Sequence, residues 1–349
     1  MDNRTSYTPN MPHFDIAYPI LAGDTADIYF ARAQTILTKE NLNPVVTMEV
    51  FPGGAGLLCG MKEALALLAT VLPPEAGVWA VDEGELFQPK EVVLRITAPY
   101  NPFGLYETAI LGILAQSSGW ATAARECVLA AQGQPVISFG ARHVHPKVAD
   151  VMDYAAIVGG CITGSTPAGA RLAGLAPSGT MPHALILIFG DTVQAALAFD
   201  RWMEPDIPRV ILVDTFKDEV EESLRVARAM RERLYGVRLD TPSERGRVTA
   251  DLVKEVRARL DLEGFQHVRI IVSGGFTPER IKQMLEAGAP VDAFGVGSYI
   301  AHAAPIDFTG DLKEVAGQPI AKRGRLPGLT PNPRLQRIDL ANYRESGNQ

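Results

Sequence analysis

The sequence predicts an α/β protein: an irregular (β/α) barrel over residues 135–304, an α+β domain before it over 1–134, and a C-terminal extension, 305–349, that rejoins the N-terminal domain. Three observations carry this. From Gln134 onward, short apolar runs alternate with amphipathic segments, the rhythm of parallel strands joined by helices. Two of those runs, 268–272 and 291–294, stop abruptly at glycine turns, Ser273-Gly274-Gly275 and Gly295-Val296-Gly297-Ser298, and Thr277-Pro278-Glu279 opens a helix after the first. The residues before 135 mix strand-like and helix-like runs without that rhythm.

Taken in order, residues 45–50 and 92–97 read as strands, and 61–71 and 105–117 as helices. Tyr106, Ala109, Ile110 and Ile113 fall at helical spacing and supply packing. Gly53-Gly54-Ala55-Gly56 lacks a complete dinucleotide pattern and is read as a turn. The candidate barrel strands are 136–139, 161–163, 209–213, 237–239, 268–272 and 291–294. A short strand near Gly179 would bring the total to about seven, fewer than the regular eight. Between them the clearest helix is 217–234, where Val220, Leu224, Ala227 and Leu234 form one apolar face, with acidic residues in its first turns and arginines in its last. The tail from Pro305, rich in Pro, Gly and Arg, is expected to pack back on the N-terminal domain or to end in disorder.

With 349 residues and 47% hydrophobic content the chain can bury a substantial core. The N-terminus has no apolar segment of signal-peptide type and no later run approaches bilayer length, which predicts a soluble, cytoplasmic protein without a membrane partner. Cys59, Cys127 and Cys161 form no CxxC pair, so neither a zinc signature nor a disulfide framework is expected. A net charge of −7 and a pI near 5.5 argue against broad nucleic-acid binding while allowing a local basic pocket. The expected partner is a small molecule.

In a parallel barrel the catalytic face lies at the C-terminal strand ends. Paired glycine turns there suit a phosphate dianion, because glycine lets the anion reach bare N–H groups and a helix start favours its charge. Ser273, Gly274, Gly275, Gly295, Gly297 and Ser298 are therefore the candidate phosphate cup. After the first strand, Phe139-Gly140-Ala141-Arg142-His143-Val144-His145 offers Arg142 and His143 for a diphosphate or a carboxylate, with His145 read as a turn or cap residue. Thr180 and His183 follow in Gly179-Thr180-Met181-Pro182-His183, and a histidine at a helix start is expected to have a lowered pKa and a neutral nitrogen able to act as nucleophile or proton acceptor, with a plain capping role as the alternative. Asp214 and Asp240, at successive strand ends, could bind sugar hydroxyls, organise a cation through water, or simply cap helices. No third ligand joins His143 and His145, so no protein-held metal is expected. A phosphate cup, arginines for a second anion and two carboxylates together describe a site for phosphoribosyl pyrophosphate, with Mg²⁺ as helper.

The motifs resemble those of the nicotinate phosphoribosyltransferase family, in its shorter archaeal and bacterial branch, over roughly residues 15–325. The matching elements are Phe139-Gly140-Ala141-Arg142, Gly179-Thr180-Met181-Pro182-His183, Arg238-Leu239-Asp240-Thr241, the two glycine turns, and Asp27-Ile28-Tyr29. The resemblance implies a type II phosphoribosyltransferase barrel and a head-to-tail homodimer in which Tyr29 of one subunit and Phe139 of the other sandwich the pyridine ring. It also implies Arg142 and Arg238 on diphosphate or on the nicotinate carboxylate, Asp240 on the ribose hydroxyls, and His183 as the residue that ATP phosphorylates. His183, Arg238 and Asp240 are thus the candidate catalytic residues. Some relatives carry a zinc-binding cysteine cluster near the C-terminus; no cysteine follows Cys161 here, so no zinc is expected. Nor does Gly160-Cys161-Ile162-Thr163-Gly164 have the acidic residue that relatives often place there. The competing readings are a quinolinate or nicotinamide phosphoribosyltransferase, the former disfavoured by the absence of an Arg-Lys-Thr signature, and a non-catalytic regulator that binds phosphoribosyl pyrophosphate.

Overall fold

The computed structural model describes residues 12–344 and divides into two compact units. One comprises the described residues up to Thr122, Leu172–Gly174 and the chain from Ala303; the other comprises Ala123–Arg171 and Leu175–His302. The first break falls inside the 24-residue helix Glu107–Ala130, which runs well past the expected end at 117.

The first unit is built on a six-stranded antiparallel sheet in the order Gln318–Pro319, Phe308–Val315, Val45–Pro52, Leu94–Pro99, Gly77–Ala80, Gln336–Arg337. Alternation along Val45–Pro52 sends Val46, Met48 and Val50 into an apolar core with Leu65 and Leu68 of the helix Met61–Val71. Thr47 and Glu49 alternate with them and are buried too. Thr47 pairs with Thr97 at 3.0 Å, and Glu49 takes a hydrogen bond from Arg95 Nη2 at 2.6 Å, so these polar groups are satisfied. The C-terminal strand Phe308–Val315 runs beside Val45–Pro52, and the segment after it supplies two further edge strands. No residue of the helix Ile28–Lys39 is fully buried; Phe30, Ala31, Ala33, Gln34 and Leu37 are half-buried and the rest exposed.

The second unit holds a five-stranded parallel sheet in the order Val136–Ser138, Ala293–Val296, Arg269–Val272, Gly236–Leu239, Val210–Leu212. These strands are almost wholly buried on both faces, which is why they read in the sequence as unbroken apolar runs. The expected strand at 161–163 is reduced to a single parallel bridge, Ile137 to Thr163. No strand forms near Gly179: Pro177 and Pro182 bracket that stretch and withhold two of the N–H groups a ladder needs. The barrel is accordingly more irregular than expected, with no strand pairing between Thr163 and Val210 among the described residues. Its interior leaves a cavity of about 320 Å³ lined by Ile137, Phe139, Val210, Arg238, Ile271 and Ala293 among others.

Helix Glu219–Met230 starts where Asp218 accepts from Glu221 N and stops at Arg231, whose φ of 52° breaks the helix short of the expected 234. Helix Pro278–Glu286 begins with Thr277 as cap and proline in its first turn. No single helix among the described residues is long and apolar enough to cross a membrane.

Candidate active site

The centre of the second unit's polar cluster is Arg238, the third residue of Gly236–Leu239. Its Nε donates to Ser273 Oγ at 2.9 Å, Nη2 to Asp240 Oδ2 at 3.3 Å and Nη1 to Thr180 Oγ1 at 3.5 Å. Ser273 Oγ donates in turn to Asp240 Oδ1 at 2.8 Å. Cation, hydroxyl and carboxylate therefore hold one another, each in one orientation. The guanidinium also lies over the Phe139 ring, 4.7 Å from its centroid, so one face of that ring carries positive charge. Burial pulls the Arg238 pKa down and the charge of Arg142 adds to this, against the pull of Asp240. A guanidinium tolerates this and stays a cation.

The glycine turns fit tightly around these groups. Gly274 and Gly275 have φ of 93° and 67°, and a Cβ on Gly274 would stand 3.2 Å from Asp240 Oδ1. Arg280 donates to the carbonyls of Gly274 and Gly275 at 2.8 and 2.7 Å, which takes both acceptors out of the turn. A Cβ on Gly295 would lie 2.5 Å from Phe139 Cδ2, and one on Gly297 2.8 Å from Phe139 O and 3.4 Å from His143 Nε2. The Phe139 to His143 stretch thus rests against the second turn, helped by Phe139 N donating to Val296 O at 2.8 Å. Ser298 opens the short helix Ser298–Ala301 from that turn. His143 packs edge-on to His302, and burial first, then His302 and Arg142, push its pKa down.

His183 behaves differently from the expectation. It does begin a helix, His183–Phe189, but that helix has only seven residues and a weak dipole, and Nε2 sits 3.1 Å from Asp214 Oδ1. The hydrogen bond to Asp214 raises the pKa above 6.5, burial opposes it, and the charges of Asp214 and Asp240 add to the rise. The lowered pKa expected from the helix start is therefore corrected to a raised one. Asp214, whose side chain is 2% exposed, is a histidine partner and not a helix cap, a role that Asp218 takes for the helix that follows.

The structure brings Phe139, Arg142, His143, Thr180, His183, Asp214, Arg238, Asp240 and both glycine turns into the second unit. Arg142 takes part through its charge on Arg238 and His143. Tyr29 belongs to the first unit, is 58% exposed and donates to Asp27 Oδ2 at 3.2 Å. His145 has the capping role expected of it, accepting from Lys147 N at 3.2 Å. Sequence reasoning missed Asp153. This fully buried carboxylate accepts from Ser138 Oγ, Thr166 N and Thr166 Oγ1, each at 2.8 Å, and so ties the end of the first strand to the loop after Thr163. The helix Ala149–Val158 carries two acids; Asp150 sits in its first turn, where an acid is ordinary, whereas Asp153 lies among Met152, Tyr154, Ala155 and Ala156, and that apolar surrounding was the available signal. Among the described residues no group of three or more His, Cys, Asp or Glu could hold a metal ion. Asp214 and Asp240 are the carboxylates of this cluster that could meet a divalent cation, although Asp214 Oδ1 and both Asp240 oxygens already take hydrogen bonds.

Against known families, residues 27–118 match the quinolinate phosphoribosyl transferase N-terminal domain and residues 120–311 its C-terminal domain. A nicotinate phosphoribosyltransferase of Mycobacterium tuberculosis is 33% identical over 229 residues, 65% of this chain and 48% of that protein. One from Bacillus subtilis is 31% identical over 232 residues, 64% and 46% of the two chains. The chain thus spans about half the length of these curated relatives. Among solved structures, the nicotinate-nucleotide pyrophosphorylase of Pyrococcus furiosus matches with a TM-score of 0.82 and 45% identity, over 90% of this chain and 82% of that one. Human nicotinic acid phosphoribosyltransferase, at 20% identity and a TM-score of 0.67 over 87% and 77%, shares the fold.

Proposed function

The chain belongs to the quinolinate and nicotinate phosphoribosyltransferase family, and from that premise we propose that it forms nicotinate mononucleotide and diphosphate from nicotinate and phosphoribosyl pyrophosphate, within NAD biosynthesis or salvage. The observation that carries the proposal is the Arg238, Ser273 and Asp240 network beside two glycine turns, a cation, a hydroxyl and a carboxylate fixed at adjacent strand ends. In the reaction the pyridine nitrogen lone pair bonds to the anomeric carbon, the bond from that carbon to the diphosphate oxygen breaks, and diphosphate leaves with the electron pair. Positive charge builds on the sugar as the bond to the leaving group lengthens. Asp240 holds the ribose hydroxyls and steadies that charge; Arg142 and Arg238 take the diphosphate or the nicotinate carboxylate; the glycine turns take the 5-phosphate. Phe139 supplies one face for the pyridine, and Tyr29 of a second copy the other. Asp214 and Asp240 would be the carboxylates that meet a Mg²⁺ ion brought in with the substrate, and the ion would supply charge neutralisation to the diphosphate.

ATP coupling is part of the proposal. With Nε2–H donated to Asp214, His183 presents Nδ1 as the basic nitrogen that accepts a phosphoryl group from ATP, and hydrolysis of that phosphohistidine drives nucleotide formation. A homodimer is supported by Ile28, Tyr29 and Ile36, which stand exposed on the helix Ile28–Lys39, and, in the other unit, by Leu187, Ile188 and Phe189, exposed on one short helix. The deciding experiment incubates the purified chain with phosphoribosyl pyrophosphate and Mg²⁺, with nicotinate, quinolinate or nicotinamide, with and without ATP. Nicotinate mononucleotide from nicotinate supports the proposal. A second reading, quinolinate as acceptor, is favoured by the name of the matching family model, and product from quinolinate alone, with release of carbon dioxide, would establish it. Tight binding without turnover would instead mark a regulator.

A further inference from the structure

The loop after Gly236–Leu239 makes a short turn at Ser243–Arg245, passes Gly246 at φ 87° and reaches Arg247 at φ 64°. A left-handed arginine costs about 1 kcal/mol or more, so something fixes its direction. Its side chain lies over the first glycine turn: a Cβ on Gly275 would stand 3.2 Å from Arg247 Cζ and closer still to Nη1. The guanidinium fills space that only glycine leaves.

Among the described residues the Arg247 side chain makes no hydrogen bond or ion pair, although Glu244 feels its charge. Its neighbour Arg280 is used up on the carbonyls of Gly274, Gly275 and Val248, and burial, then the charge of Arg247, lower the Arg280 pKa. Two guanidiniums therefore share one turn with no carboxylate between them, an arrangement that an anion relieves. The neighbouring notch, at Gly274, holds Asp240. A carboxylate at one glycine and a free guanidinium at the next match a sugar that presents a hydroxyl close to a phosphate.

We propose that Arg247 is a binding residue for the phosphomonoester dianion at the 273–275 turn, gripping it from the side that Gly275 leaves open. This rests on the reading of that turn as a phosphate cup. The test is titration calorimetry with ribose 5-phosphate on the full chain and on R247Q, R247K and G275A. R247Q should weaken binding about tenfold or more, R247K should recover part of it, and G275A, whose methyl takes the place of the guanidinium, should reproduce the loss. Nicotinate affinity and melting temperature of R247Q should stay at parental values, since the side chain is exposed and unpartnered. Parental affinity for ribose 5-phosphate in R247Q overturns the proposal, and so does an equal loss of nicotinate and phosphate binding. If the parent fails to bind ribose 5-phosphate, the cup and Arg247 fall together. If R247Q loses binding but no pyridine yields product with the parent enzyme, the transferase reading fails while the Arg247 site stands.

Discussion

Gly295→Ala tests whether the Phe139 ring is the platform for the acceptor. The added methyl would stand 2.5 Å from Phe139 Cδ2 and 3.1 Å from Ser273 Cβ, whereas carbon atoms rest at roughly 3.5 Å or more. Gly295 belongs to the strand Ala293–Val296, paired on both sides, while Phe139 lies just past its own strand and is only partly buried, so the ring must move by about 1 Å. That shift carries it off the guanidinium of Arg238, now 4.7 Å from its centroid, a contact worth about 0.5–2 kcal/mol. If the pyridine stacks on the same ring, its affinity should fall by a similar amount, so KM for the acceptor should rise about tenfold. KM for phosphoribosyl pyrophosphate should rise less, because the methyl meets the first glycine turn only at Ser273 Cβ, at 3.1 Å against 2.5 Å at the ring. Overpacking of about 1–2 kcal/mol should also lower Tm by a few degrees. Steady-state kinetics with each substrate varied in turn gives the answer. A folded variant whose acceptor KM equals that of the parent refutes Phe139 as the platform.

Asp214→Asn should lower the His183 pKa, since the hydrogen bond that raises it loses its charge while Arg238 still repels the proton; an unmoved imidazole titration by NMR would show that Asp214 is not its cause. His183→Ala should abolish ATP stimulation and leave some ATP-independent synthesis, and equal stimulation in variant and parent would remove His183 from that step. Burial, then Asp311, push Glu107 up to about 7 against the pull of Lys322. Its folded pKa thus exceeds the unfolded 4.5, so the native state binds the extra proton and stability falls as pH rises from 4.5 through 7. Glu107→Gln should flatten that slope and add about 1 kcal/mol at pH 8 by denaturant titration; an unchanged slope would contradict it. Asp153→Ala strands the donors of Ser138 and Thr166 and should cost on the order of 3 kcal/mol, and a loss below 1 kcal/mol would mean water replaces the carboxylate.

Much of the second unit was legible because its strands are buried on both faces and its turns need glycine. The segments ending at Leu239, Val272 and Phe294 announce themselves as apolar runs, and the residues just past them carry the polar groups of the cluster. Where local signals are weak, the sequence misleads. Prolines at 177 and 182 silence a strand that spacing alone suggested. The basicity of His183 is set by Asp214, 31 residues away, and not by the helix it begins. Asp153 and Arg247 act through a folded loop and a glycine notch, contacts that no local pattern encodes.

The pairing of Gly236–Leu239 with Arg269–Val272 sets Leu239 beside Val272, so Asp240 and Ser273 are the first residues beyond the last matched pair of two neighbouring strands. The ladder acts as a ruler that indexes them to each other. Segments feeding the strands from below can therefore gain or lose residues without disturbing the 2.8 Å contact above. Deleting one residue inside either strand would misplace its half of the pair by about 3.3 Å and turn it to the opposite face. Variation in length across such a chain is free in its loops and forbidden in these eight positions.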